Sequence, residues 1–215
     1  LALLPEERVE EQVTELDTAV DALLNGHAPF VGIYDHGQTK TSGIQPRVLL
    51  PGSFNPLHYG HKKLADVAAR QLGQPVAFEI SVTNVDKPPL AQGEVLRRMS
   101  QFAGRQALYL TDAPRFVDKA RLFPGTTFVI GADTAVRLVN PRYYEDDTAV
   151  MTRALDQMAE CDTHFLVAGR ETGPDTFLKL DDIPIPTAYK HLFTPIPTDV
   201  FRVNLSSTEL RRQQQ

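Results

Sequence analysis

With 215 residues and 42% hydrophobic side chains, the chain is long enough for one sizeable α/β core, or a core with a short appendage. Its 22 basic residues against 27 acidic ones give a formal net charge of −5, which argues against a nucleic acid polymer as partner, so any phosphate must be bound locally. A single cysteine, Cys161, excludes an internal disulfide and cysteine-based zinc sites. No apolar run is long enough for a membrane and no signal pattern opens the chain, so a cytoplasmic or other reducing intracellular location is expected.

The first residue is Leu1 rather than Met, which leaves room for an upstream domain in a longer chain. Over residues 6–24, Val9, Val13, Leu16, Val20 and Leu23 recur at alternating spacings of four and three, with acidic residues on the other faces. That periodicity predicts an amphipathic helix. Its stripe is expected to pack on the main domain or on an upstream part; a dimer seam, and with it a homo-oligomer, stays open. Asn25 and Gly26 end the helix. Residues 32–45 are turn-rich and read as a linker, so the expected organisation is a helical extension over 1–45 and a catalytic domain over 46–215.

After Pro46 apolar runs alternate with helical patterns, the grammar of a parallel sheet with crossover helices. Strands are expected at 47–54, 75–83, 107–111, 127–130 and 164–168, and helices at 58–72, 90–102, 143–160 and 206–213. The proline-rich passage between Pro174 and Pro197 should be irregular, with one short strand at 191–194. The fold class is therefore α/β: a Rossmann-like parallel sheet of about five strands with helices on both faces and an N-terminal helical extension. In such sheets ligands sit at the carboxyl ends of the strands where strand order reverses, so the loops after the first, second and fourth of these strands are the places to search.

The first of them runs into Gly52-Ser53-Phe54-Asn55-Pro56-Leu57 and then His58-Tyr59-Gly60-His61. Gly52 and Pro56 give a sharp exit from the sheet and a preset backbone at the helix start. His58 and His61, three residues apart, should project to one side of the helix N-terminus, with Gly60 allowing a ligand close to the backbone. Free amides and the helix dipole add attraction for anions, which suits a triphosphate in an in-line attack with no covalent enzyme intermediate.

The segment GSFNPLHYGH over residues 52–61 resembles the signature of the H-x-G-H nucleotidyltransferase superfamily, and especially the nicotinate and nicotinamide mononucleotide adenylyltransferases. Leu205-Ser206-Ser207-Thr208-Glu209-Leu210-Arg211 resembles the family's closing I-S-S-T-x-x-R element, and Ser206 with Glu209 also reads as a capping box. The resemblance implies adenylyl transfer from ATP to a small phosphorylated acceptor, with His58, His61 and Arg211 catalytic. Gly52, Ser53, Phe54, Asn55, Gly60, Ser206, Ser207 and Thr208 would then bind the nucleotide. Gly131 and Asp133, in the run Phe128-Val129-Ile130-Gly131-Ala132-Asp133, resemble the family's G-x-D element near the ribose. Tyr143 and Tyr144 lie where relatives carry aromatic residues at the nucleotide or acceptor; packing under the following helix is the other reading.

The acceptor is expected at the loop carrying Asn84 and Lys87 and at the helix carrying Arg97, which resemble the family's lysine beside a proline pair and its R-x-x-M helix. Here the lysine precedes the prolines instead of following them, so a phosphopantetheine acceptor, or CTP with a sugar or alcohol phosphate, stays open, as does a non-catalytic nucleotide-binding module of a larger protein. The family usually continues past the arginine helix, whereas this sequence stops at Gln215. His27, His164 and His191 lack metal-ligand spacing; no protein-only metal site is expected, and magnesium would arrive on the triphosphate. The phosphate-loop Gly-Lys-Ser/Thr turn and the Lys-Met-Ser-Lys loop of class I aminoacyl-tRNA synthetases are both missing from the sequence.

Overall fold

The computed structural model describes residues 16–34, 37–43, 45–85, 88–102, 104–173 and 176–202. Helix α1 (Leu16–Leu24) turns Ala19, Val20 and Leu23 inward, continuing the apolar stripe whose earlier members, Val9 and Val13, lie outside the described residues. Strands β1 (Phe30–Ile33) and β2 (Thr39–Lys40) follow. The chain then runs β3 (Val48–Pro51), α2 (Tyr59–Leu72), β4 (Ala77–Ser81), α3 (Gln92–Met99), β5 (Leu108–Thr111), α4 (Phe116–Leu122), β6 (Thr127–Gly131) and α5 (Ala132–Leu138). After a 3-10 turn at Pro141–Tyr143 come α6 (Thr148–Glu160), β7 (His164–Ala168), the hairpin β8 (Arg170–Gly173) and β9 (Thr176–Leu178), and β10 (Phe193–Pro195).

The main sheet has the order β10-β7-β6-β3-β4-β5-β1-β2. Strands β3 to β7 and β10 pair parallel, while β1 joins the edge of β5 antiparallel and carries β2. The chain steps outward from β3 to β4 and β5, returns to lay β6 on the other side of β3, and continues to β7 and β10. Strand order therefore reverses between β3 and β6, and their carboxyl ends frame the crevice where doubly wound sheets bind ligands.

Both faces of the sheet are covered, so its inner strands read as apolar runs rather than alternating ones. Val48, Leu50, Phe78, Ile80, Leu108, Leu110 and Val129 face α1, α2 and α3, whereas Leu49, Tyr109, Phe128, Ile130, Phe165 and Val167 face α4, α5 and α6. Helix α2 closes on Gly73, whose left-handed φ of 64° suits a residue without a Cβ. No helix among the described residues is long and apolar enough to cross a membrane.

Three expectations change. The sheet has more strands than the expected five, because Phe30–Ile33 and Thr39–Lys40, within or beside the turn-rich stretch read as linker, form an edge hairpin, and the short strand expected at 191–194 is present as Phe193–Pro195 and joins the sheet as its sixth parallel strand. A proline is tolerated in β10 because it is an edge strand. The helix expected over 143–160 begins only at Thr148: Glu145 and Asp146 have φ of 59° and 56°, outside helical space, and Asp147 caps the helix by accepting a hydrogen bond from the Ala149 amide at 2.7 Å. Helices α4 and α5, absent from the sequence reading, occupy the crossover and turn on either side of β6. The closing helix expected over 206–213 lies outside the described residues.

Phe78, fully buried on β4 between Phe54 and Phe102, should be the most sensitive test of the packing beneath the crevice. Phe78→Ala is expected to cost about 3–5 kcal/mol of unfolding free energy. A urea titration checks it, and a loss under 1 kcal/mol would contradict this packing.

Candidate active site

The chain leaves β3 by a turn that only a small residue permits. A Cβ on Gly52 would stand 2.7 Å from the ring of Phe54, which folds back under the turn into the core. Phe54 itself has φ of 43°, a left-handed conformation rare for a bulky residue. Its ring meets Phe78 and Phe102 at centroid distances of 5.3 Å and His61 edge-on at 4.9 Å. Phe54, expected at the nucleotide, is thus the buried support of the loop.

Helix α3 clamps the same loop from outside. Gln101, just beyond its end, accepts from the Leu57 amide and donates to the Phe54 carbonyl, both at 2.8 Å. Arg98 donates to the Ser53 carbonyl at 3.2 Å, and Arg97 donates to Asn55 Oδ1 at 2.8 Å. Both arginines bind Glu94, and the hydrogen bond from Arg97, aided by Arg98, holds the Glu94 carboxyl down at about 2. Arg97, expected at the acceptor, therefore fastens Asn55 and stands outside the lining of the cleft, whereas Arg98 is in it.

His58 caps α2 and His61 sits in its first turn, and their rings stack with centroids 3.7 Å apart. The projection to one side expected from their spacing is what the structure shows. His61 Nδ1 accepts a hydrogen bond from the His58 amide at 3.3 Å, so the proton of the neutral His61 ring belongs on Nε2. Burial, with His58 alongside, pushes the His61 imidazole down to about 3, and burial also lowers that of His58. Both rings are therefore neutral near pH 7. Neither ring nitrogen of His58 has a partner among the described residues although both are buried, a condition that costs about 1–3 kcal/mol for a polar atom left unsatisfied.

These residues line a cleft of roughly 1740 Å³ over the carboxyl ends of β3, β4 and β6. Gly52, Ser53, Asn55, His58, Gly60, His61, Asn84, Gly131 and Asp133 are all in its lining. Asp133 folds back over Gly131, where a Cβ would meet its carboxylate at 2.6 Å, and pairs with Arg170 at 3.1 Å. Tyr144 packs on the core and donates to the Leu138 carbonyl, while Tyr143 is exposed on the cleft beneath the Arg137 guanidinium. Lys87, Ser206, Ser207, Thr208 and Arg211 lie outside the described residues. The described chain ends beside the cleft, which Phe201 lines.

Sequence reading missed the charge of this cleft. Among the described residues, Arg98, Arg115, Lys119, Arg121, Arg137, Arg142, Arg153 and Arg170 line it against only Glu79, Asp133, Glu145 and Glu171. In a chain whose net charge is −5 the sign reverses locally, which draws in a polyanion. These residues come from four helices and their caps, the 3-10 turn and strand β8, so no short motif carries them. They are legible only once the crossovers are placed.

The model of the cytidylyltransferase-like family matches residues 49–213, which is most of the chain and spans every residue singled out above. No curated protein matches it.

Because a group with a depressed folded-state pKa binds fewer protons than in the unfolded chain, His61 makes stability rise with pH between about 3 and 6.5. Its contribution is complete above pH 6.5 and is lost as pH falls through that window. Replacing it by Gln should flatten the dependence by up to one proton, read from denaturant titrations of both proteins at pH 5, 6 and 7.5. Parallel slopes would mean that His61 is solvated.

Proposed function

Because the chain belongs to the cytidylyltransferase-like family, a nucleotidyltransferase family, we propose that it transfers the adenylyl group of ATP to the phosphate of a mononucleotide, such as nicotinate or nicotinamide mononucleotide. The observation that carries this reading is the stacked, neutral pair His58 and His61 at the start of α2, in the mouth of a cationic cleft at the switch point of the sheet.

In the proposed reaction an oxygen of the acceptor phosphate attacks the α-phosphorus of ATP, the bond to the β-phosphate oxygen breaks, and pyrophosphate leaves. The positioning of both groups and the stabilisation of phosphoryl charge supply the rate enhancement. His61, with Nδ1 held by the His58 amide, has Nε2–H as donor for a phosphate oxygen. His58 has a donor to give as well, since its ring has no protein partner among the described residues. The amides of the first turn of α2 and the helix dipole favour the same anion.

Gly131 and Asp133, across the crevice on β6 and α5, are the proposed ribose contacts, with Arg170 as the group that Asp133 would exchange for sugar hydroxyls. Ser206, Ser207, Thr208 and Arg211 remain proposed ligands of the phosphates on the pyrophosphate side, and Asn84 and Lys87 of the acceptor. Magnesium would bind mainly through triphosphate oxygens and water, as its preference for oxygen ligands dictates, and would neutralise phosphate charge. Among the described residues no cluster of three or more His, Cys, Asp and Glu side chains is placed to hold a metal. The donor set of the cleft fits an ion that enters on its nucleotide.

Pyrophosphate release, measured with ATP or CTP against nicotinate mononucleotide, nicotinamide mononucleotide, phosphopantetheine and glycerol 3-phosphate, tests this reading. ATP with one of the two mononucleotides is the expected pair; turnover only with CTP, or only with another acceptor, would replace it. In the active pair, His61→Ala and His58→Ala should each lower kcat by about 10²–10³, the usual cost of one transition-state donor. A parallel fall in thermal stability with kcat per folded molecule unchanged would instead make the imidazoles structural.

A further inference from the structure

On the β4 side of the cleft, away from the histidines, lies a buried polar cluster that the reaction as described does not use. Glu79 on β4 is 1% exposed and Lys119 on α4 is 4% exposed, and their side chains meet at 2.6 Å. The Thr111 hydroxyl of β5 donates to the same carboxylate oxygen, Oε1, at 2.5 Å. The other oxygen, Oε2, is buried without a partner among the described residues, as is the hydroxyl of Ser81. Glu79, Ser81 and Lys119 all line the cleft.

A purely structural role accounts poorly for this arrangement. A buried ion pair is rarely a better source of stability than apolar residues of the same volume, and it is retained at least cost when every lone pair is satisfied. Here two donors crowd one carboxylate oxygen while the other has none. Glu79 and Ser81 are two residues apart on one strand, so their side chains leave the same face of the sheet. Two polar atoms without a partner among the described residues thus belong to side chains on one face of β4, on the wall of a ligand-sized cavity.

The chemistry of the missing partner follows from the charges. The Lys119 ammonium already neutralises Glu79, so a cationic ligand group would meet a like charge. A neutral O–H or N–H donor would instead satisfy the unpartnered carboxylate oxygen. Topology says which substrate supplies it: the triphosphate half is built by β3, α2 and β6 at the switch point, which leaves the space over β4, β5 and α4 to the second substrate.

Resting on the nucleotidyl-transfer reading above, we propose that Glu79, with Ser81 and Lys119, is the specificity-determining floor of the acceptor pocket, accepting a hydrogen bond from a neutral hydroxyl or amide of the acceptor. Arg115, at the N-cap of α4, and Arg121 on the helix, both in the same lining, supply positive charge for the acceptor's phosphate. The sequence motif located only the loop that follows this strand.

Calorimetric titration of the full chain with ATP, ribose 5-phosphate and phosphopantetheine tests the proposal, the last two offering a sugar hydroxyl and an amide respectively. Glu79→Gln and the apolar pair Glu79→Leu with Lys119→Met are compared with the parent, the paired variant guarding against a fold that merely dislikes an unpaired lysine. ATP should bind all three proteins within twofold, while whichever acceptor probe binds the parent should weaken at least tenfold in both variants. The proposal is overturned if neither acceptor probe binds the parent while ATP does, or if affinity for the probe survives in variants that fold and bind ATP. Failure of ATP itself to bind the parent would overturn the nucleotidyl-transfer reading, and with it the acceptor assignment.

Discussion

The site depends on one buried ring. Phe54 lies in left-handed backbone space, a strain of about 1–3 kcal/mol for a non-glycine residue, and burying its ring against Phe78 and Phe102 returns about 1.5–3 kcal/mol. The two effects nearly cancel, so the turn would be poorly held by Phe54 alone. The hydrogen bonds of Gln101 to the Phe54 carbonyl and the Leu57 amide tip the balance. Because the same ring packs on His61, the conformation of the loop and the orientation of the imidazole are one structural fact.

The electrostatics divide into fixed charge and neutral donors. Two protonated imidazoles with centres 3.7 Å apart would repel by about 4 kcal/mol at the effective dielectric of a protein surface, in addition to the penalty of burial. Both therefore stay neutral in the free protein, and the arginines of the cleft provide the standing positive field. Such a site attracts a polyphosphate at long range by charge and holds it at short range by hydrogen bonds that need no titration.

The parts of this molecule legible in the sequence are those encoded within a few residues. Val48, Leu49 and Leu50 announce a doubly covered strand, and His58, Gly60 and His61 mark the start of the helix behind it. Phe30–Ile33 was not legible, because its strand character depends on pairing with Leu108–Thr111, far along the chain. Glu145 and Asp146 could be helical by propensity, and only their left-handed backbone separates Tyr143 from α6. Arg97 carried a motif, yet the neighbour Arg98 faces the cleft, since one step along a helix turns a side chain by about 100°.

The same distinction separates the two halves of the cleft. The half proposed for the nucleotide is made from backbone amides, glycines and a helix start, features that a short run of residues can specify and that any member of a fold family can share. The half proposed for the acceptor is made from side chains that tertiary structure brings together, as Lys119 is brought to Glu79 across 40 residues that include α3 and β5. A pocket wall of that kind can change its chemistry by exchanging one side chain while the sheet, the crossovers and the histidine pair stay as they are. On the acceptor assignment proposed above, the pairings across β4, β5 and α4 are where discrimination between acceptors would be built.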